Sequence, residues 1–531
     1  MRDLARPGRS PVHSTHGMAC TSHPLSSETA IDVLRQGGNA LDAAVAACAV
    51  QCVVEPESTG IGGDCFCLYA PEGSGDLIAY NGSGRAPGAA TAEWYAGKGI
   101  RQIERYSPHA VTVPGSIEAW ARLIEDYGTK PLAELLAPAI GLARDGYPIS
   151  SRVSFDFTVE APALKKDMAA TRLFLPGGKA PRPGSIHRQP GLARTLERIA
   201  RQGPDGFYAG PVAQEIVELL QKMGGLHTMQ DFADAKGEYV APISTDYRGH
   251  KVHECPPNGQ GIIALLLLNI LEGFETAAGG PLALERVVAE IEAGRRAYAD
   301  RTLYVADPDQ AEVPVEMLLS ESHAAKYREE IRAAAKLGSP AAYSAGAHNS
   351  TVYICVVDKD RNVASFINTL FSPFGSCIFA PESGVMLQNR GQGFVLDPDH
   401  PNCIAPGKRP MHTIIPGMVT KDDRAVMPFG VMGGDYQAFG HMQLLSRFLE
   451  FRLDLQESMD MTRFFPDPQG DRVQIESTLP GHLAEDLMSL GYKLSQPVKP
   501  HGGSQAIWID WEQGVLTGGS DPRKDGCAIG Y

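Results

Sequence analysis

Along this chain the spacing of apolar and polar residues switches repeatedly between helical and strand periods, and each switch marks an element. Ser26 and Ser27 are N-cap candidates for a helix through Ile31, Leu34 and Arg35, which Gly37-Gly38 stops. Asn39 caps the next helix, with Asp42 at the capping-box position. That helix, 40–54, is apolar and small on nearly every side, as expected of a buried, closely packed element. A glycine-rich stretch, Ser58 to Asp64, leads into an apolar run, Cys65 to Ala70, which reads as a strand paired with 76–80. Helical periodicity then covers 117–127, 132–144, 192–202, 211–223, 260–271 and 282–300, with strands expected within 239–255. The last clear unit is a hairpin. Thr351 opens a run of β-branched and apolar residues to Val357, Asp358-Lys359-Asp360-Arg361-Asn362 forms a polar turn, and Val363 to Ile367 returns. Just before it, between Lys336 and His348, the chain is rich in Ala, Gly and Ser with little period, and reads as exposed and mobile.

Composition narrows the classes. The 531 residues suffice for two or three domains' worth of core, and 43% hydrophobic with 21% charged residues is ordinary globular usage. A formal charge of −14 argues against nucleic-acid or anionic-membrane partners. The longest strongly apolar run, Ile262 to Ile270, falls far short of the ~20 residues that span a bilayer. The N-terminus lacks an apolar segment behind its charges, so no secretory signal is expected. Ten cysteines without paired metal-ligand spacing fit free thiols in a cytoplasmic protein. Cys65-Phe66-Cys67 would put both thiols on one face of a strand, a packing feature rather than a metal site. The glycine run precedes a strand, whereas a phosphate loop precedes a helix, so nucleotide binding is discounted. No metal or cofactor is implied.

Several segments, weak singly but ordered over nearly the whole chain, resemble the γ-glutamyltranspeptidase family of N-terminal-nucleophile (Ntn) hydrolases. They are Gly37-Gly38-Asn39-Ala40-Leu41-Asp42, Gly60-Ile61-Gly62-Gly63-Asp64, Val113-Pro114-Gly115, Glu134 to Ile140, Tyr298-Ala299-Asp300-Arg301, Lys408-Arg409-Pro410, Gly433-Gly434 and Gly519-Ser520-Asp521-Pro522-Arg523. The resemblance implies an α+β fold, a four-layer αββα sandwich of stacked antiparallel sheets. It also implies a precursor that cuts itself between Ser350 and Thr351. The large segment 1–350 and the small segment 351–531 would then stay together as a heterodimer building one αββα unit, with a dimer of heterodimers as the alternative assembly. Cleavage gives Thr351 its own α-amine, of unperturbed pKa about 7.7–8.0, as the base a threonine hydroxyl lacks. By the same resemblance, Thr369 hydrogen-bonds the nucleophile, and Gly433 and Gly434 supply an oxyanion hole from their backbone N–H groups.

The substrate clamp departs from the family pattern. Ser83 stands where the family has a carboxylate-binding arginine, with Arg85 displaced by two. Gly393 replaces the amine-binding aspartate, Arg390 lies three residues before it, His412 and Thr413 replace two serines, and Phe371 replaces an asparagine. With no acceptor for an ammonium and a planar five-donor fork at Arg390, the expected substrate is a small amide bearing a carboxylate but no α-amine, such as oxamate. The oxamate amidohydrolase and cephalosporin-acylase-like members share this kind of pattern. A γ-glutamyl hydrolase or transferase acting on glutathione-type substrates is the second reading, with Arg85 or Arg390 standing in for the lost arginine. An unprocessed scaffold is the third, disfavoured by retention of Thr351, Thr369 and the glycine pair. His412 is read as pocket lining, because the α-amine already serves as base, with a buried structural histidine as the alternative.

Overall fold

The computed structural model describes residues 8–334, 350–467 and 471–531; the Lys336–His348 connector lies outside the described residues. Two seven-stranded sheets, each antiparallel throughout, stack face to face. One runs Cys527–Gly530, Met18–Thr21, Ser350–Val357, Val363–Phe371, Asp64–Ala70, Ile78–Gly82, Glu238–Val240. The other runs Val12–Ser14, Val515–Ser520, Gly503–Asp510, Arg424–Met432, Gly417–Lys421, His250–Glu254, Ile243–Tyr247. Strands from both sides of the Ser350–Thr351 bond therefore interleave in both sheets.

The period-2 pattern explains the layering. From the strand Ser350–Val357, Tyr353, Cys355 and Val357 meet the facing sheet, while Ile354 and Val356 meet a helical layer. Cys65 and Cys67 likewise share the helical face, and Phe66 and Leu68 face the other sheet. The first helical layer contains Ala40–Val54, buried at every position, with Ser116–Tyr127 and Leu132–Asp145. Asn39 and Asp42 form the capping box, and Asp358 of the hairpin turn accepts the Ala40 N–H at 2.9 Å, tying this helix to the central hairpin. The second layer contains Gly261–Glu272, Leu284–Tyr304 and Tyr436–Leu445. The architecture is thus the four-layer αββα sandwich.

One local expectation fails. The first helix spans Pro24–Arg35 and is capped by His23, whose Nδ1 accepts the Leu25 N–H. Proline at the first helical position starts it earlier than the serine pair suggests. Ser26 and Ser27 donate instead to the carbonyls of Ala47 and Cys527. Ser151–Leu164, Met168–Phe174, Glu321–Ala334 and Tyr436–Leu445 are helices beyond those that the apolar spacing predicts.

Candidate active site

The site starts from a break in sheet register. Ser350 pairs with Phe371 and Val352 with Asn368, so the ladder shifts by one residue at Thr351. Irregularities of this kind re-aim a side chain at the end of a pairing. Thr351 is almost fully buried, with its Oγ1 3.3 Å from Thr369 Oγ1 and 3.2 Å from Gln437 Nε2, which donates to it. Thr369 Oγ1 accepts the Phe371 N–H at 2.8 Å, and Thr369 pairs across the sheet with Asp64. The glycine run before Asp64 has a close-packing reason: a Cβ on Gly63 would lie 2.0 Å from the Thr369 carbonyl oxygen.

Thr351 and Gly433 line a common cavity of about 410 Å³, together with Met432, Pro373 and Gly502. Arg152, Lys499 and Lys524 also line it, with Glu160 among them. Gly433 and Gly434 have φ of +129° and +58°, backbone that side-chain-bearing residues rarely adopt. The turn is braced from behind. Gln260 Nε2 donates to the carbonyls of Gly434 and Thr413 at 2.9 and 2.8 Å, and Arg301 reaches both Gln260 Oε1 and Asp435 at 2.7 and 2.6 Å. Asp435 thus orients the turn through Arg301.

The departing positions form a second, buried cluster. Arg390 is fully buried; Nη2 donates to Thr413 Oγ1 at 3.1 Å, and the guanidinium lies 3.7 Å from the Phe371 ring centroid. Its Nε and Nη1 have no hydrogen-bond partner, and no carboxylate pairs with it among the described residues. Burial pulls its pKa down to about 9, so it stays cationic at neutrality. His412 Nδ1 accepts the Ile414 N–H, so Nε2 carries the proton and donates to Asp64 at 3.0 Å. Burial, then the nearby Arg390 charge, push His412 down to about 4, so the ring is neutral and the contact is a hydrogen bond rather than an ion pair. Asp64 completes its shell with the Gly84 and Gly115 N–H groups and Gln388. His412 is therefore a fully engaged core residue, not a free pocket wall.

Ser83 is buried and spent on its neighbours: its hydroxyl donates to Asn81 and accepts from Asn258. Arg85 turns elsewhere, donating to the Gly407 carbonyl at 3.0 Å and pairing with Asp309 at 3.3 Å. Both border a separate cavity of about 160 Å³. Gly393 offers only backbone; its carbonyl accepts from Asn402. Sequence reasoning missed Gln437, Gln260 and Asp64. The one available signal was their nearness to quoted motifs, since Asp64 ends one glycine motif and Gln437 lies three residues past Gly434.

Comparison with known proteins agrees over the full length. The family described as Gamma-glutamyltranspeptidase matches residues 26–531. The glutathione hydrolase-like YwrD proenzyme of Bacillus subtilis is 36% identical, covering 98% of this chain and 99% of that protein. The oxamate amidohydrolase proenzyme of Klebsiella pneumoniae is 35% identical at 98% and 99% coverage. The crystal structure of cephalosporin acylase from Bacillus halodurans superposes with a TM-score of 0.92 at 40% identity, covering 100% of this chain and 99% of that one. A match of this extent, in sequence and in fold, makes the chain a member of the gamma-glutamyltranspeptidase family of N-terminal-nucleophile hydrolases.

Proposed function

We propose that this chain is a self-processing amidohydrolase that uses Thr351 as its nucleophile on an amide whose acyl part carries a carboxylate but no α-amine. Cleavage at Ser350–Thr351 frees the Thr351 amine, which takes the hydroxyl proton as Oγ1 attacks the amide carbonyl. The Gly433 and Gly434 N–H groups stabilise the oxyanion, the amine product leaves, and water hydrolyses the resulting ester. The interleaved strands keep the two fragments together after cleavage. The relatives' printed names, all proenzymes, support processing.

The observation that carries the substrate class is Arg390: a buried cation with donors to spare and no acidic partner among the described residues. Asp64 and Asp435 attract this cation only from beyond ion-pair distance, so its unbonded Nε and Nη1 are costly to bury and a substrate carboxylate would pair them directly. Phe371, which lies over the guanidinium, moves aside in this reading, and Thr413 adds a hydroxyl. No side chain at Gly393 offers an acceptor for a substrate ammonium, which favours this class over γ-glutamyl compounds. The test is a panel of oxamate, a glutaryl amide and a γ-glutamyl anilide on processed protein, reading ammonia or amine release. Turnover of oxamate or the glutaryl amide is expected; strong turnover of the γ-glutamyl anilide alone overturns the substrate assignment.

A further inference from the structure

Gln437 touches the reactive oxygen and has no part in the reaction described above. It lies in the first turn of the helix Tyr436–Leu445, directly after the glycine pair, and is fully buried. Its Oε1 accepts the Ile415 N–H at 3.2 Å. A backbone N–H can only donate, so the amide oxygen must face Ile415 and the NH₂ must face Thr351. The contact at 3.2 Å is therefore a donation from Gln437 Nε2 to Thr351 Oγ1. The Gln437 backbone N–H also donates to the Gly434 carbonyl at 3.1 Å, so the side chain and the glycine turn are held in one frame.

A threonine hydroxyl has one proton and two acceptor lone pairs. Gln437 Nε2 therefore fixes the direction of one Oγ1 lone pair, and Thr369 Oγ1 lies 3.3 Å from the same oxygen. We propose that Gln437 is a catalytic residue whose side-chain N–H aims the Thr351 oxygen and stabilises it as a leaving group when the ester breaks down. This rests on the reading of Thr351 as nucleophile. In self-cleavage, Oγ1 adds to the Ser350 carbonyl, the Ser350–Thr351 C–N bond breaks, an ester forms, and the hydroxyl proton ends on the new amine. Water then adds to the ester. The C–Oγ1 bond breaks with its electron pair going to Oγ1, one proton of that water goes to Oγ1, and the Ser350 acid ionises, its proton passing to the Thr351 amine. A hydrogen bond to a charged oxygen is about twice as strong as one to a neutral oxygen, so the donor contributes most as Oγ1 departs.

The chain's own bond is the probe. Freshly purified Gln437→Glu and Gln437→Met precursors are followed by denaturing gel, with and without hydroxylamine, which traps esters. Both are expected to complete cleavage about 10²-fold more slowly than wild type, with a hydroxylamine-sensitive ester accumulating. Glu keeps an oxygen for the Ile415 N–H. A role confined to holding that backbone would leave Gln437→Glu at the wild-type rate without ester, and that result overturns the proposal. Thr351→Ala separates the two levels. If it still cleaves, the nucleophile reading fails; if it stays whole while Gln437→Glu behaves as wild type, only the role of Gln437 fails.

Discussion

The two halves of the candidate site are built by different means. Around Thr351 the backbone sets the frame: a register shift turns the threonine and two left-handed glycines shape the turn, with the Thr369 and Gln437 side chains placed at its oxygen. Around Arg390 the side chains do it: Thr413, Phe371, His412 and Asp64 hold one another in a sealed cluster. Backbone machinery tolerates few residue types, so its positions stay readable as motifs. A side-chain cluster can be rebuilt with different residues, which is how specificity changes while chemistry stays. The cavity at Thr351 shows the same split, since its rim cations Arg152, Lys499 and Lys524 belong to neither motif set.

The comparison breaks most sharply at Thr351. Thr351→Ala is expected to leave one chain of 56.9 kDa on a denaturing gel and to lower turnover by roughly 10⁶-fold. Two fragments from that variant would remove the nucleophile assignment. Next is the glycine turn. Gly434→Ala, at φ +58°, should cost about 10²–10³ in kcat with little change in KM. An equal rise in KM would place the turn in substrate binding instead.

Arg390→Met tests the other half and should move two quantities in opposite directions. Removing a buried cation whose Nε and Nη1 are unbonded is expected to stabilise the fold by about 1–3 kcal/mol in thermal denaturation. KM for a carboxylated amide should rise roughly 10- to 100-fold. Lower stability with unchanged KM would make Arg390 a structural residue. Asp64→Asn should have a smaller effect on rate. Its amide would present a donor to His412 Nε2–H while Ile414 N–H still faces Nδ1, so one donor stays unmatched. About 1–3 kcal/mol of stability should be lost, measurable in urea.

The last expected effect is on pH. Burial holds His187, His227, His253, His412 and His501 at about 4 and His441 at about 3, below the ordinary 6.5. The unfolded chain therefore binds more protons than the folded one as pH falls from 6.5. The melting temperature should decline progressively between pH 6.5 and 4. A flat profile there would mean that these rings are not held neutral.

Much of the fold was legible because burial imposes period. The largely apolar 40–54 helix, the strand through Cys65 and Cys67 and the hairpin at Thr351 all emerge where the pattern places them. The first helix start did not, since a proline outweighed two serines. Tyr436–Leu445 carries no such signal, because Gln437, Gly440, His441 and Gln443 interrupt its apolar residues while every position is buried, leaving neither an amphipathic stripe nor an apolar run. In the site, Thr351, Thr369 and the glycine pair stand out as motif positions. Ser83 and Arg85 were named by alignment with the family pattern, yet they are turned onto Asn81 and Asp309. Side-chain direction is set by whichever partner lies nearest in space, and those partners are distant in sequence.

By itself the sequence determined the family, the alternation of faces and the identity of the threonine at the head of a central strand, because periodicity and glycine placement are local properties of the chain. Only the tertiary structure decided the register shift that aims Thr351, the sealing of Arg390 under Phe371, the structural commitment of His412 and the approach of Gln437 to Thr351 Oγ1. Each of these depends on contacts between segments from 18 to 348 residues apart, and their hydrogen bonds are made only when the layers close.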